Sequence, residues 1–249
     1  MPKLTTLDAL RLALDHHQAG DFPSAEHLYR KILVKDTNNA DALHLLGVLL
    51  RQTGRARTGI DLLHRAVERS PNVAQFHNHL GQALRDLGQS EESVEAYRTA
   101  LQLDPNYAEA HNNLGQALHD LHHTPQAIAA FRKSISLAPD LPDPHSNLGH
   151  ALLDLGRVDE AAGECRAAIR INPDFAEAHN TLANCLAEQG SADDAVAEYR
   201  RAAAAAPYFQ VAWSNLLYTL HTSPTFDARV ILDEHKEWSR LFAEPLFNT

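Results

Sequence analysis

Residues 93–121, SVEAYRTALQLDPNYAEAHNNLGQALHDL, decide the fold. Apolar and small residues recur there at helical spacing on both sides of Pro105, a residue that no helix interior accommodates without losing a hydrogen bond. The stretch therefore reads as the second helix of one hairpin, a turn, and the first helix of the next. Working outward, prolines stand at Pro71, Pro105, Pro139, Pro173 and Pro207, each 34 residues from the last. Leu12, Leu46, Leu80, Leu114, Leu148, Leu182 and Leu216 form an unbroken row in the same register, and Gly47, Gly81, Gly115 and Gly149 directly follow four of them.

A period of 34 with these small and aromatic positions resembles the tetratricopeptide repeat, and it predicts an all-α solenoid of helical hairpins. The units are 6–39, 40–73, 74–107, 108–141, 142–175 and 176–209, with a degenerate seventh repeat and a junction or capping helix in 210–249; the chain 1–249 is expected to be one solenoid domain. The first helices should end at Gly20, Gly54, Gly88, Gly156 and Gly190, where glycine takes the left-handed conformation. Ser90, Thr124 with Pro125, and Ser191 are expected to open second helices as caps. Thr37 and Ala13 replace the proline and the glycine in the first unit, as expected of a terminal repeat. The resemblance implies a right-handed superhelix with first helices lining a groove.

Composition narrows the function. A formal charge of −10 leaves no basic footprint for nucleic acid or an anionic membrane. No segment has the length of a membrane span or the form of a signal peptide, which places the chain in the cytoplasm. Cys165 and Cys185 fall within helical patterns and are expected as buried thiols. His77, His111, His145 and His179 occupy repeat position 4, one per unit, and are read as packing residues; no metal site or cofactor is predicted, and no catalytic motif stands out. The chain itself is read as no enzyme.

On a helical wheel, positions 3, 7, 10, 11 and 14 of each first helix are apolar, and positions 2, 5, 9, 12 and 13 lie opposite. Those exposed positions stack into rows. Rows five, six and nine supply the candidate peptide-binding groove: Asn78, His79, Gln82, Asn112, Asn113, Gln116, Asn147, His150, Asn180, Asn184 and Asn215. Amides donate and accept, so such rows can hold an extended peptide by its backbone. The groove edge is acidic, with Glu109, Asp143 and Glu177 on one side and Asp86, Asp120, Asp154 and Glu188 on the other. It should favour basic segments and weaken with salt.

The pattern fails at Pro224. From Asp227 to Phe242 an amphipathic helix carries Val230, Ile231, Trp238, Leu241 and Phe242, with no polar cap after it, which predicts either a further domain or a homodimer through this C-terminal helix. The stretch 213–246, WSNLLYTLHTSPTFDARVILDEHKEWSRLFAEPL, resembles the junction between repeats and catalytic region in bacterial relatives of O-GlcNAc transferase and in SPINDLY-type glycosyltransferases. Asn113, Asn147 and Asn215 match that family's asparagine ladder, whereas His79 and Thr181 depart from it. The resemblance implies a substrate-recognition region for transfer of a nucleotide-linked sugar to serine or threonine. The competing reading is a free-standing adaptor, a co-chaperone or a component of a secretion complex, although Arg51 and Arg85 are too isolated for a carboxylate clamp.

Overall fold

A computed structural model describes residues 5–244. Its elements are pairs of helices: α1 Thr6–Gln18 and α2 Phe22–Lys35, α3 Ala40–Gln52 and α4 Ala56–Arg69, α5 Ala74–Asp86 and α6 Ser90–Leu103, α7 Ala108–Asp120 and α8 Thr124–Leu137, α9 Pro142–Asp154 and α10 Val158–Ile171, α11 Ala176–Glu188 and α12 Ala192–Ala205, then α13 Gln210–Thr222 and α14 Ala228–Trp238, with one π-helical turn at Ser239–Ala243. Each first helix spans repeat positions 1–13 and each of the six regular second helices spans positions 17–30, so the 34-residue period is a literal structural unit. The chain divides into two compact units, Met1–His123 and Thr124–Thr249, and the division falls between the two helices of repeat 108–141.

The turn inside each hairpin is set by the end of the first helix. Gly20, Gly54, Gly88, Gly156 and Gly190 have φ between +69° and +80°. In the following residue the amide reaches back to the carbonyl five residues earlier, as in Arg55 N to Leu50 O at 2.8 Å and Ser191 N to Leu186 O at 2.9 Å. Two of the last-turn carbonyls thereby find donors. The expected serine caps are not what opens the second helices. Ser90 lies inside the first turn of α6, and Ser191 stands at the cap of α12 without a side-chain bond. With the preceding turn already fixed by its C-terminal bond, these helices do not depend on a side-chain cap. Caps form instead at Thr5, Asp21, Asn39 and Asp227.

Packing within a hairpin pairs small with large. A Cβ added at Gly81 would lie 2.6 Å from the Tyr97 ring, and one added at Gly59 would lie 2.7 Å from the Gly47 carbonyl oxygen. Backbone meets backbone at that second crossing. Tyr29, Leu46, Leu63 and Tyr97 are sealed in the first unit, and Leu148, Leu152, Leu216 and Leu220 in the second. Each such leucine contributes about 2 kcal/mol by leaving water.

At the end of the second unit the last helix lies over the apolar core and is partly buried against it. Pro224 drives Ser223 into extended backbone (φ −91°, ψ 130°), so α13 stops without the left-handed turn and α14 starts later than a regular second helix. Phe226, Val230, Ile231, Trp238, Leu241 and Phe242 then pack against Tyr199, Trp213 and Leu216. Outward, α14 presents Asp227, Arg229, Asp233 and Lys236 to solvent. Leu232 is 54% exposed among these charged residues, so the outer face is polar with one apolar side chain. No described helix is long and apolar enough to cross a membrane.

Candidate functional site

The polar rows of the first helices are joined by a rule that the period alone does not contain. A side chain at one position of a repeat meets its partner 35 residues on, which is one repeat plus one residue. Successive side chains on a helix are about 100° apart, so stepping one position turns a side chain from the far edge of the row toward the preceding helix. Rows five and six give His44 Nε2 with His79 Nδ1 at 2.6 Å, Asn113 Nδ2 donating to Asn78 Oδ1 at 3.0 Å, and Asn215 Nδ2 donating to Asn180 Oδ1 at 3.1 Å. Rows twelve and thirteen give His17 with Gln52 at 2.7 Å, Arg51 donating to Asp86 at 3.1 Å, and Arg85 donating to Asp120 at 2.6 Å.

These rungs change the standing of several candidate residues. Asn78 is fully buried. Its Nδ2 donates to Tyr107 Oη and Glu109 Oε1 at 3.3 and 3.2 Å, while its Oδ1 accepts from Asn113. It has no surface to offer a peptide, which corrects its placement in the groove. Gln82 donates to Glu109 at 3.1 Å, and Gln116 accepts from Arg85 at 2.7 Å. Asn112, Asn113 and Asn180 are buried as well. His44 stacks on Phe76 and on His79, and burial together with the neighbouring imidazole lowers its pKa to about 3. His79 is lowered too, first by burial. In the first unit the polar rows mostly bind one another.

The second unit is arranged differently. A cavity of about 1150 Å3 lies along α9, α11 and α13, and it gathers His150, Asp154, Asn184, Glu188 and Asn215 from the predicted set. Asn184 Oδ1 accepts from Tyr199 Oη at 2.6 Å and from Asn215 at 3.3 Å, which leaves its Nδ2 as a donor at the wall. Asp193, Asp194, Tyr218 and Thr219 also line the cavity. None of the four was in the predicted set. Tyr218 could have been found, because it occupies row nine of the seventh repeat, where the four preceding repeats carry Gln82, Gln116, His150 and Asn184. Asn147 is half-buried outside the cavity, and Asp143 and Glu177 are exposed elsewhere on their helices.

The position-4 histidines have one shared task. Nε2 of His77, His111, His145 and His179 lies 2.8, 3.0, 3.3 and 2.8 Å from the carbonyl of Pro71, Pro105, Pro139 and Pro173. Trp213 Nε1 donates to Pro207 O at 2.9 Å in the seventh repeat. The proline that marks the period and the ring six residues later close each inter-repeat turn together. Cys165 and Cys185 are buried, and burial pushes the Cys185 thiol up to about 11.

Family models for the tetratricopeptide repeat match residues 81–121, 108–141 and 146–208. The chain is a tetratricopeptide-repeat protein. A model for subunit 3 of the anaphase-promoting complex, or cyclosome, also matches residues 18–100. Among solved structures this repeat protein is similar to MamA, at 26% identity and a TM-score of 0.58, over 69% of this chain and 94% of that one. PilW, a type IV pilus biogenesis factor, superposes with a TM-score of 0.76 at 19% identity, over 86% of this chain and 99% of its own. The Cut9–Hcn1 hetero-tetramer of the anaphase-promoting complex gives a TM-score of 0.79 at 17% identity, over 87% of this chain and 43% of that one. No curated protein matches the sequence. The last two likenesses establish the fold of this repeat protein, an array of helical hairpins.

Proposed function

We propose that the chain binds extended peptide segments of partner proteins along the first helices of its C-terminal unit. The carrying observation is the 1150 Å3 cavity with the linked amides of Asn184 and Asn215 at its wall. The amide groups hold a peptide by its backbone, so recognition tolerates many side-chain sequences. Each bond contributes about 0.5–1.5 kcal/mol, and affinity comes from several contacts along the cleft. Nuclear magnetic resonance tests this directly: a binding peptide should shift the side-chain amide signals of Asn184 and Asn215. Shifts confined to surfaces away from α9, α11 and α13 would remove the proposal.

Two settings for that activity follow from different observations. The resemblance of 213–246 supports a substrate-recognition region of an O-GlcNAc-transferase-like enzyme, with the catalytic region outside this chain; a stop codon directly after Thr249 in the gene would exclude it. The coverage of 94% of MamA and 99% of PilW supports a free-standing adaptor instead. In either setting the repeats bind and the chemistry lies elsewhere. Self-association through α14 would use its outer face, where Leu232 is 54% exposed among charged residues.

A further inference from the structure

We infer that the C-terminal cleft selects cationic segments, lysine- or arginine-bearing peptides, and that the N-terminal unit does not share this selectivity. The inference rests on the peptide-binding reading and adds the charge class and the location of the ligand.

The rung pattern separates the two units. In the first, the carboxylates of Asp86 and Asp120 are met by Arg51 and Arg85 from the preceding repeat. These rows are neutralised from within. In the second, Leu153 stands at the position from which an arginine would reach Glu188, and Ala187 occupies the equivalent place one repeat later. Neither side chain can donate. Glu188 thus faces the cleft without the cation that its counterparts have, and Asp193 and Asp194 add two carboxylates to the same lining. No lysine or arginine is among the residues that line the cavity.

A second feature of the cleft also suits a cation. Tyr218 is 71% exposed, although an aromatic of that size is ordinarily placed with its face against protein. An ammonium or guanidinium group is attracted to such a face, and more strongly where carboxylates stand near. The backbone of the segment would meet the Asn184 amide, and its side-chain cations would meet Glu188, Asp193 and Asp194. The charge complementarity commits the cleft to a basic occupant. Acidic partners are repelled by the same field.

Fluorescence anisotropy on the full chain can test this with three labelled peptides of about twelve residues, roughly 40 Å when extended: one alternating Lys and Ser, one Gly and Ser, and one Glu and Ser. The lysine peptide should bind most tightly and weaken on raising NaCl from about 50 to 300 mM. Glu188→Gln with Asp193→Asn and Asp194→Asn should weaken it on the order of tenfold, while Asp86→Asn with Asp120→Asn leaves it within about twofold. Tyr218→Ala, a surface change that does not touch the core, should weaken the lysine peptide more than the glycine peptide. Equal binding of all three peptides would overturn the charge inference and leave peptide binding standing. Equal losses from the two carboxylate variants would overturn its location. If no peptide of any charge binds, the peptide-binding reading falls with it.

Discussion

Asn113 donates its side-chain amide to Asn78 Oδ1 across 3.0 Å, from one repeat to the one before it, in a buried setting. The bond makes the asparagine row a fastening between repeats. Asn113→Ala would leave the Asn78 oxygen buried without a donor, at a cost of about 1–3 kcal/mol. Urea denaturation should show the loss as a lower midpoint at an unchanged slope. An unchanged midpoint would mean that the rung holds nothing together.

Gly59 and Gly163 are both helical glycines, yet they predict opposite outcomes. The Gly59 site is filled by the Gly47 carbonyl oxygen at 2.7 Å, and backbone cannot move aside, so Gly59→Ala should destabilise by about 1–3 kcal/mol. At Gly163, inside α10, an added Cβ meets nothing within 4 Å. Gly163→Ala should therefore stabilise by about 0.5–1 kcal/mol through helix propensity. Thermal unfolding of the two single variants checks both signs.

His122 takes the turn position that glycine holds in the other hairpins, at φ 59°. A side chain there crowds the backbone, and His122→Gly should recover about 1 kcal/mol. For a chain of this size that corresponds to a rise in Tm of about 2–4 °C. A fall in Tm would show that the imidazole makes contacts worth more than its strain.

The difference between what was legible and what was not lies in the kind of pattern each feature leaves. Helix positions follow from Pro105 and its equivalents, because each repeat states the same boundary again. The turn at His122 leaves no signal, since the absent glycine must be inferred from its neighbours at Gly88 and Gly156. The amide rows are visible as rows, but pairing between Asn78 and Asn113 depends on a one-residue offset created when hairpins stack. A period of 34 cannot display a contact at 35. The packing of Trp238 and Phe242 over the end of the array is hidden for a related reason: Pro224 breaks the register, and the core accepts another amphipathic helix there without the repeat's own residues.

Histidines give the two units opposite responses to pH. His44 is held neutral by burial and by His79, with its pKa lowered to about 3, so the unfolded chain binds more protons than the folded one between about 3 and 6.5. The stability it contributes is complete above pH 6.5 and is lost as pH falls through that window. His179 behaves in the opposite way. Its Nδ1 lies 2.6 Å from Glu198 and its Nε2 lies 2.8 Å from Pro173 O, two acceptors that only the imidazolium satisfies together. The Glu198 hydrogen bond raises its pKa against the effect of burial, so its contribution is complete below about 6.5 and is lost as pH rises through the raised value. Hydrogen exchange, corrected for intrinsic rates, should show α3 and α5 losing protection on the order of tenfold from pH 7 to pH 5. Protection in α11 and α12 should fall instead from pH 6 to pH 8.5. His44→Asn with His79→Asn would rebuild the rung in the form that Asn78 and Asn113 already use, and it should abolish the acid response of the first unit while leaving the alkaline response of the second. If acid sensitivity persists in that double variant, the histidine rung is not its source.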